Sequence, residues 1–145
     1  MGKYEWSRAH AVDIPDLDRE HQRLFEICEQ LRQALATAVP LADLQCVLEE
    51  LAVRTGEHFR HEEREMRSVR YPQYAWHHEQ HLAARKKLRM LARRVNNGDR
   101  QASAELLAGI AAWLEGHIGI ADRMLGAHLR NRQRLHLVTS DKASR

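Results

Sequence analysis

Four stretches of this chain repeat apolar residues at steps of three and four, and each puts a histidine where the repeat calls for leucine. The first runs Leu17, His21, Leu24, Cys28, Leu31, Leu35; the second runs Leu44, Leu48, Leu51, Thr55, His58, Glu62, Met66. The third runs His77, His81, Ala84, Leu88, Leu91, Val95; the fourth runs Leu106, Ile110, Trp113 or Leu114, His117, Ala121, Leu125. Such steps line one face of a helix. Pro40 with Asp43 parts the first two stretches, Ser68 to Tyr74 with Pro72 the next two, and Asn96-Asn97-Gly98-Asp99 the last two. Helices of about twenty residues with short connections predict an all-α, antiparallel up-down-up-down four-helix bundle.

Length and composition agree with that expectation. A chain of 145 residues suits one core, and 43% apolar residues with only 7 Gly and 3 Pro argue against a disordered chain or a β-sandwich. Residues 1–130 read as the folded unit. Within it, residues 1–16, with Trp6, Ile14 and Pro15, form an extended arm that packs on the bundle. Residues 131–145 read as a polar tail that frays. The stretch from Met1 to His10 carries charges and no apolar run, so no signal peptide or membrane association is expected. Cys28 and Cys46 are too few for a disulfide framework and suit a reducing cytoplasm. The net charge of +3 is spread along polar faces, and only Arg85 to Arg94 approaches a basic stripe, so a nucleic-acid partner is not expected.

Histidine is the outlier, with 10 residues. A lone core histidine is most often satisfied by a neighbouring hydrogen bond, and a histidine four residues before a glutamate arises freely on surface helices. His61 with Glu65 reads as such a solvated pair, His78 sits off its seam, and His10, His128 and His136 have no geometric partner in the sequence. The core set differs because all four helices contribute to it. Buried polar groups at similar depth need a shared partner. His58 with Glu62, and His77 with His81, stand four apart, which places both members of each pair on one face, about 6 Å apart along the axis. A metal centre satisfies all of them together.

These residues resemble the hemerythrin family, in particular its single-domain bacterial kind. The resemblance lies in Leu17-Asp18-Arg19-Glu20-His21-Gln22-Arg23-Leu24-Phe25 and in His58-Phe59-Arg60-His61-Glu62-Glu63 with Met66. It continues in Tyr71-Pro72 before His77 and His81, and in Trp113-Leu114-Glu115-Gly116-His117-Ile118 before Asp122. It implies two iron ions sharing an oxo or hydroxo bridge: His77, His81 and His117 on one, His21 and His58 on the other, with Glu62 and Asp122 bridging. It also implies that Phe59, Trp113, Leu114 and Ile118 line a dry dioxygen pocket. Asp122 rests on the resemblance alone, because five residues separate it from His117 and an ideal α-helix would turn the two about 140° apart.

Given that ligand set and a shared oxygen, the three-histidine iron has six donors and the two-histidine iron five. One position stays open for dioxygen. The implied function is reversible dioxygen binding for storage, delivery or sensing, not catalysis. The alternatives are a di-iron redox enzyme, with oxidase, peroxidase or nitric-oxide chemistry, or a sensor acting through a partner. Carboxylate-rich ferritin-like oxidases use E-x-x-H pairs, and this chain contains none. The zinc-protease pattern H-E-x-x-H is absent too.

Overall fold

A computed structural model describes residues 2–143. After a single 3-10 turn at Arg8–His10, the chain forms α1 (Pro15–Ala36), α2 (Leu41–Ser68), α3 (Tyr74–Asn96) and α4 (Arg100–His117). A π-helical turn at Ile118–Asp122 then leads without a break into α5 (Arg123–Ala143). Helix α1 packs on α2 and α4, and α3 packs on α2 and α4. Four rods therefore close into the antiparallel bundle that the seams predict, with α4, the π turn and α5 together forming the fourth.

Local chemistry sets the helix ends. Pro15 opens α1, where a missing N–H costs nothing, and Asp16 and Asp18 oppose the positive end of its dipole. Helix α2 gives way to a loop in which Arg70 takes a left-handed conformation (φ 51°) and the Tyr71 N–H donates back to the Met66 carbonyl at 2.9 Å. Gly98 takes the left-handed position after α3 (φ 75°), where any side chain is strained. Asp99 then caps α4, its carboxylate accepting the Ala102 N–H at 2.9 Å.

Leu17, Leu24, Ile27, Leu31, Leu51, Met66, Leu91 and Leu107 fill the core. In α4 the seam runs one residue later than expected at its start: Leu107 is fully buried and Leu106 half-buried. Leu114, not Trp113, takes the core slot. Cys28 lies in the apolar interior, where burial pushes its thiol up to about 12. The continuous helix Arg100–Ser140 is long and apolar enough to cross a membrane by length and composition. Its Leu107, Leu114, Ile118 and Leu125 are instead buried in the bundle.

The arm packs as expected, through buried Val12 and partly buried Tyr4, Trp6 and Ile14. Asp18 accepts the Val12 N–H at 2.8 Å, Arg123 donates to the Ala9 carbonyl at 2.7 Å, and Arg130 donates to the Val12 carbonyl. The arm crosses α5 at Gly126, where an added Cβ would stand 2.6 Å from the Val12 carbonyl oxygen. The tail departs from expectation. It continues α5 as a regular helix, with every residue from 131 to 140 exposed. Arginine, leucine and glutamine propagate a helix that the bundle has already nucleated. Ser144 and Arg145, the end of that tail, lie outside the described residues.

Candidate metal centre

The seven core residues predicted from the sequence converge inside the bundle, toward the end where α1 and α3 begin and α2 finishes. His21 comes from α1, His58 and Glu62 from α2, His77 and His81 from α3, and His117 and Asp122 from the ends of α4 and the π turn. Six of them are no more than 2% exposed and His117 is 4% exposed. The donors divide into two groups, Glu62 with His77, His81, His117 and Asp122, and His21 with His58, Glu62 and Asp122. Within each group one donor atom per residue lies within 4.8 Å of the others.

The two carboxylates belong to both groups, one oxygen for each. Glu62 Oε2 stands 2.9 Å from His77 Nε2 and 3.0 Å from His81 Nε2. Glu62 Oε1 stands 2.7 Å from His58 Nε2 and 3.5 Å from His21 Nε2. Asp122 divides in the same way. Its Oδ1 lies 3.0 Å from His77 Nε2 and from His117 Nε2, and its Oδ2 lies 3.0 Å from His21 Nε2.

Asp122 reaches this position through the π turn. There the Arg123 N–H bonds back five residues to the Ile118 carbonyl. Bonding over five residues stacks the fifth residue where an α-helix stacks the fourth. The separation of five that speaks against Asp122 on an ideal helix is therefore the one this turn requires.

The donor set fits metal ions. The imidazole nitrogens His21 Nε2 and His58 Nε2 face each other at 3.0 Å in the buried interior. With metal–donor bonds of about 2.1 Å, two donors at a right angle stand about 3.0 Å apart. Glu62 Oε1, His117 Nε2 and both Asp122 oxygens are buried without a hydrogen bond. His117 Nε2 and Asp122 Oδ1 lie 3.0 Å apart, yet are not aligned as donor and acceptor. They aim at a common point instead.

The electrostatics act in the same direction. Burial alone would push His58 down, but the Glu62 and Glu20 carboxylates outweigh it and lift His58 to about 10. His77, disfavoured as a cation by burial, is lifted to about 9 by Asp122 and Glu62. Burial raises Glu62, yet the charge favoured on His58 and the close approach of His21 and His77 hold it well below the ordinary carboxylate range. The field between the carboxylates attracts positive charge, whether as protons on imidazole or as a metal ion.

A second layer of contacts lies outside the predicted set. His58 Nδ1–H donates to Glu20 Oε1 at 2.7 Å, and His81 Nδ1–H donates to Glu63 Oε1 at 2.9 Å. His117 Nδ1–H donates to Gln80 Oε1 at 2.7 Å. Each acceptor adjoins a metal-site residue in sequence, Glu20 before His21, Glu63 after Glu62 and Gln80 before His81. That adjacency was the available signal. His61 keeps its pairing with Glu65, at 3.7 Å, and adds a shorter bond across the bundle, its Nδ1–H donating to Glu20 Oε2 at 2.6 Å. His10 and His128 also have neighbours, Glu115 at 3.2 Å and the Tyr71 ring at 5.0 Å.

Aromatic rings cover two of the imidazoles. Phe59 stacks on His81 with centroids 3.9 Å apart, and Trp113 stacks on His117 at 4.5 Å. Phe59, Leu114 and Ile118 are buried and Trp113 is half-buried.

Residues 12–129 match the family model of the hemerythrin HHE cation binding domain. A bacteriohemerythrin of Stenotrophomonas maltophilia (strain R551-3) is 29% identical over 140 residues, which cover 94% of this chain and 90% of that protein. Among solved structures, a wild-type hemerythrin superposes with a TM-score of 0.77 at 23% identity, covering 86% of this chain and 95% of that one. A leucine-to-alanine variant of a hemerythrin superposes with a TM-score of 0.80 at 22% identity, covering 89% and 98%. At that identity the superpositions speak for the fold.

Proposed function

The chain belongs to the hemerythrin family, and from that premise we propose that it holds two iron ions and binds dioxygen reversibly at one of them, for storage, delivery or sensing. The observation that carries this reading is the unequal division of donors around two shared carboxylates. His77, His81 and His117 with Glu62 and Asp122 offer five protein donors to one ion, and His21 and His58 with the same carboxylates offer four to the other. The second site is one donor short of the first, and an ion held there would leave that position for dioxygen. Two irons held by these residues would supply the electrons that dioxygen takes on binding and returns on release.

The remaining roles belong to the chain. Glu62 and Asp122 set the spacing of the two sites by presenting one oxygen to each. Five neutral imidazoles against two carboxylates support high-valent iron less than a carboxylate-rich set does, which favours binding over oxidation of a substrate. Buried Phe59, Leu114 and Ile118, with Trp113 over His117, exclude water from the space beside the donors. Two unpaired cysteines fit a cytoplasmic protein.

The test is a visible spectrum of iron-loaded protein, reduced without air, exposed to oxygen and then purged. A charge-transfer band that appears with oxygen and fades on purging supports reversible binding. An irreversible change with iron retained overturns it in favour of redox catalysis.

A further inference from the structure

Two histidine pairs, each joining one donor to a histidine outside the donor count, share one geometry. His58 and His61, three apart on α2, both donate through Nδ1 to Glu20 of the preceding helix, at 2.7 and 2.6 Å. His78 and His81, three apart on α3, both donate through Nδ1 to Glu63 of the preceding helix, each at 2.9 Å. In both, a carboxylate from one helix is clasped by two imidazoles of the next. The inner imidazole of each clasp turns Nε2 toward the carboxylate cluster: His58 faces Glu62 Oε1 at 2.7 Å and His81 faces Glu62 Oε2 at 3.0 Å. The outer imidazoles, His61 and His78, are 23% and 37% exposed and touch neither donor group.

One clasp falls on each metal site, His58 in the two-histidine group and His81 in the three-histidine group. The other imidazoles are held differently. His117 leans on the neutral amide of Gln80, and the Nδ1 atoms of His21 and His77 are buried without a partner among the described residues. An imidazole with no Nδ1 acceptor is free to flip or to ligate through the wrong nitrogen. A carboxylate acceptor fixes the tautomer and ring orientation and makes Nε2 a stronger donor. The carboxylate in turn needs holding, and the outer histidine does that.

We propose that Glu20 and Glu63 are positioning residues, one for each metal site, which aim His58 and His81 at their ions, and that His61 and His78 pin these carboxylates in place. The inference rests on the ligand assignment made above.

Zinc uptake by the full chain, titrated against a chromophoric chelator, tests it without any oxygen chemistry. The unaltered protein takes up two equivalents. Glu20→Ala and Glu63→Ala each weaken one of the two by about 10- to 100-fold and leave the other in place. The double variant weakens both. Glu20→Gln and Glu63→Gln recover most of the loss, because an amide oxygen still accepts from imidazole, and a merely destabilised fold would show no such rescue. Unchanged affinity in the alanine variants overturns the proposal. So does loss of both equivalents in each single variant together with a lowered melting temperature of the metal-free protein. Fewer than two equivalents in the unaltered protein overturns the ligand assignment itself, and this inference with it.

Discussion

Leu114 shows how one side chain serves packing and chemistry together. It is 6% exposed on α4, beside Trp113, which stacks on His117. Truncating a buried leucine costs about 2–5 kcal/mol and leaves a void. The proposed function makes Leu114 part of the dioxygen pocket, and on that reading the void gives water a way in. The iron-loaded Leu114→Ala protein therefore loses its oxygenated band faster than the unaltered protein at the same temperature and pH. Equal decay rates, followed at the band maximum, would mean that Leu114 does not keep water out. The same scale governs His61. One turn away on its own helix, Glu65 is its only visible partner in the sequence, but across the bundle Glu20 offers a shorter bond, at 2.6 Å against 3.7 Å.

At the scale of elements, the π turn decides the centre. It inserts one residue into the fourth rod, so that His117 and Asp122 share a face while Ile118, Ala121 and Leu125 stay buried. Gly119 and Ala112 are both exposed, yet removing them has opposite consequences. Deleting Gly119 leaves histidine and aspartate four apart, the spacing at which a plain α-helix stacks them, and keeps the downstream register. Two equivalents of metal are expected to remain. Deleting Ala112 turns the helix before it by about 100° against the rest and breaks the seam. That variant loses metal and thermal stability together. A Gly119 deletion that abolishes metal uptake, measured by metal analysis after dialysis, would mean that the π turn does more than set register.

At the scale of the molecule, the chain ends behave unequally. The arm is a working part of the core, because Val12 is 1% exposed and its carbonyl lies against Gly126. Among the described residues the last buried one is Leu129, and residues 131 to 140 of α5 are exposed throughout. Arg130 still holds the arm through Val12. A chain ending at Arg130 is therefore expected to keep its melting temperature within a degree or two, roughly the effect of a change under 0.5 kcal/mol. It also keeps both metal equivalents. Calorimetry that finds a large drop would assign the tail a contact with the bundle.

Period and side-chain type determined the bundle and most of its centre. A helix's inward face is a local property, so leucines at steps of three and four mark it, and a histidine in a leucine slot must find a partner inside. His21, His58, Glu62, His77, His81 and His117 were legible on those terms. Asp122 was not, except through family resemblance. Whether a helix bonds over four residues or five at one turn depends on what packs around it, and no local preference in Ile118–Asp122 announces it. The clasps of Glu20 and Glu63 were decided by tertiary structure as well, because each joins a carboxylate on one helix to histidines on the next. Sequence spacing describes one helix at a time, and only the closing of the bundle sets which off-seam residues of neighbouring helices meet.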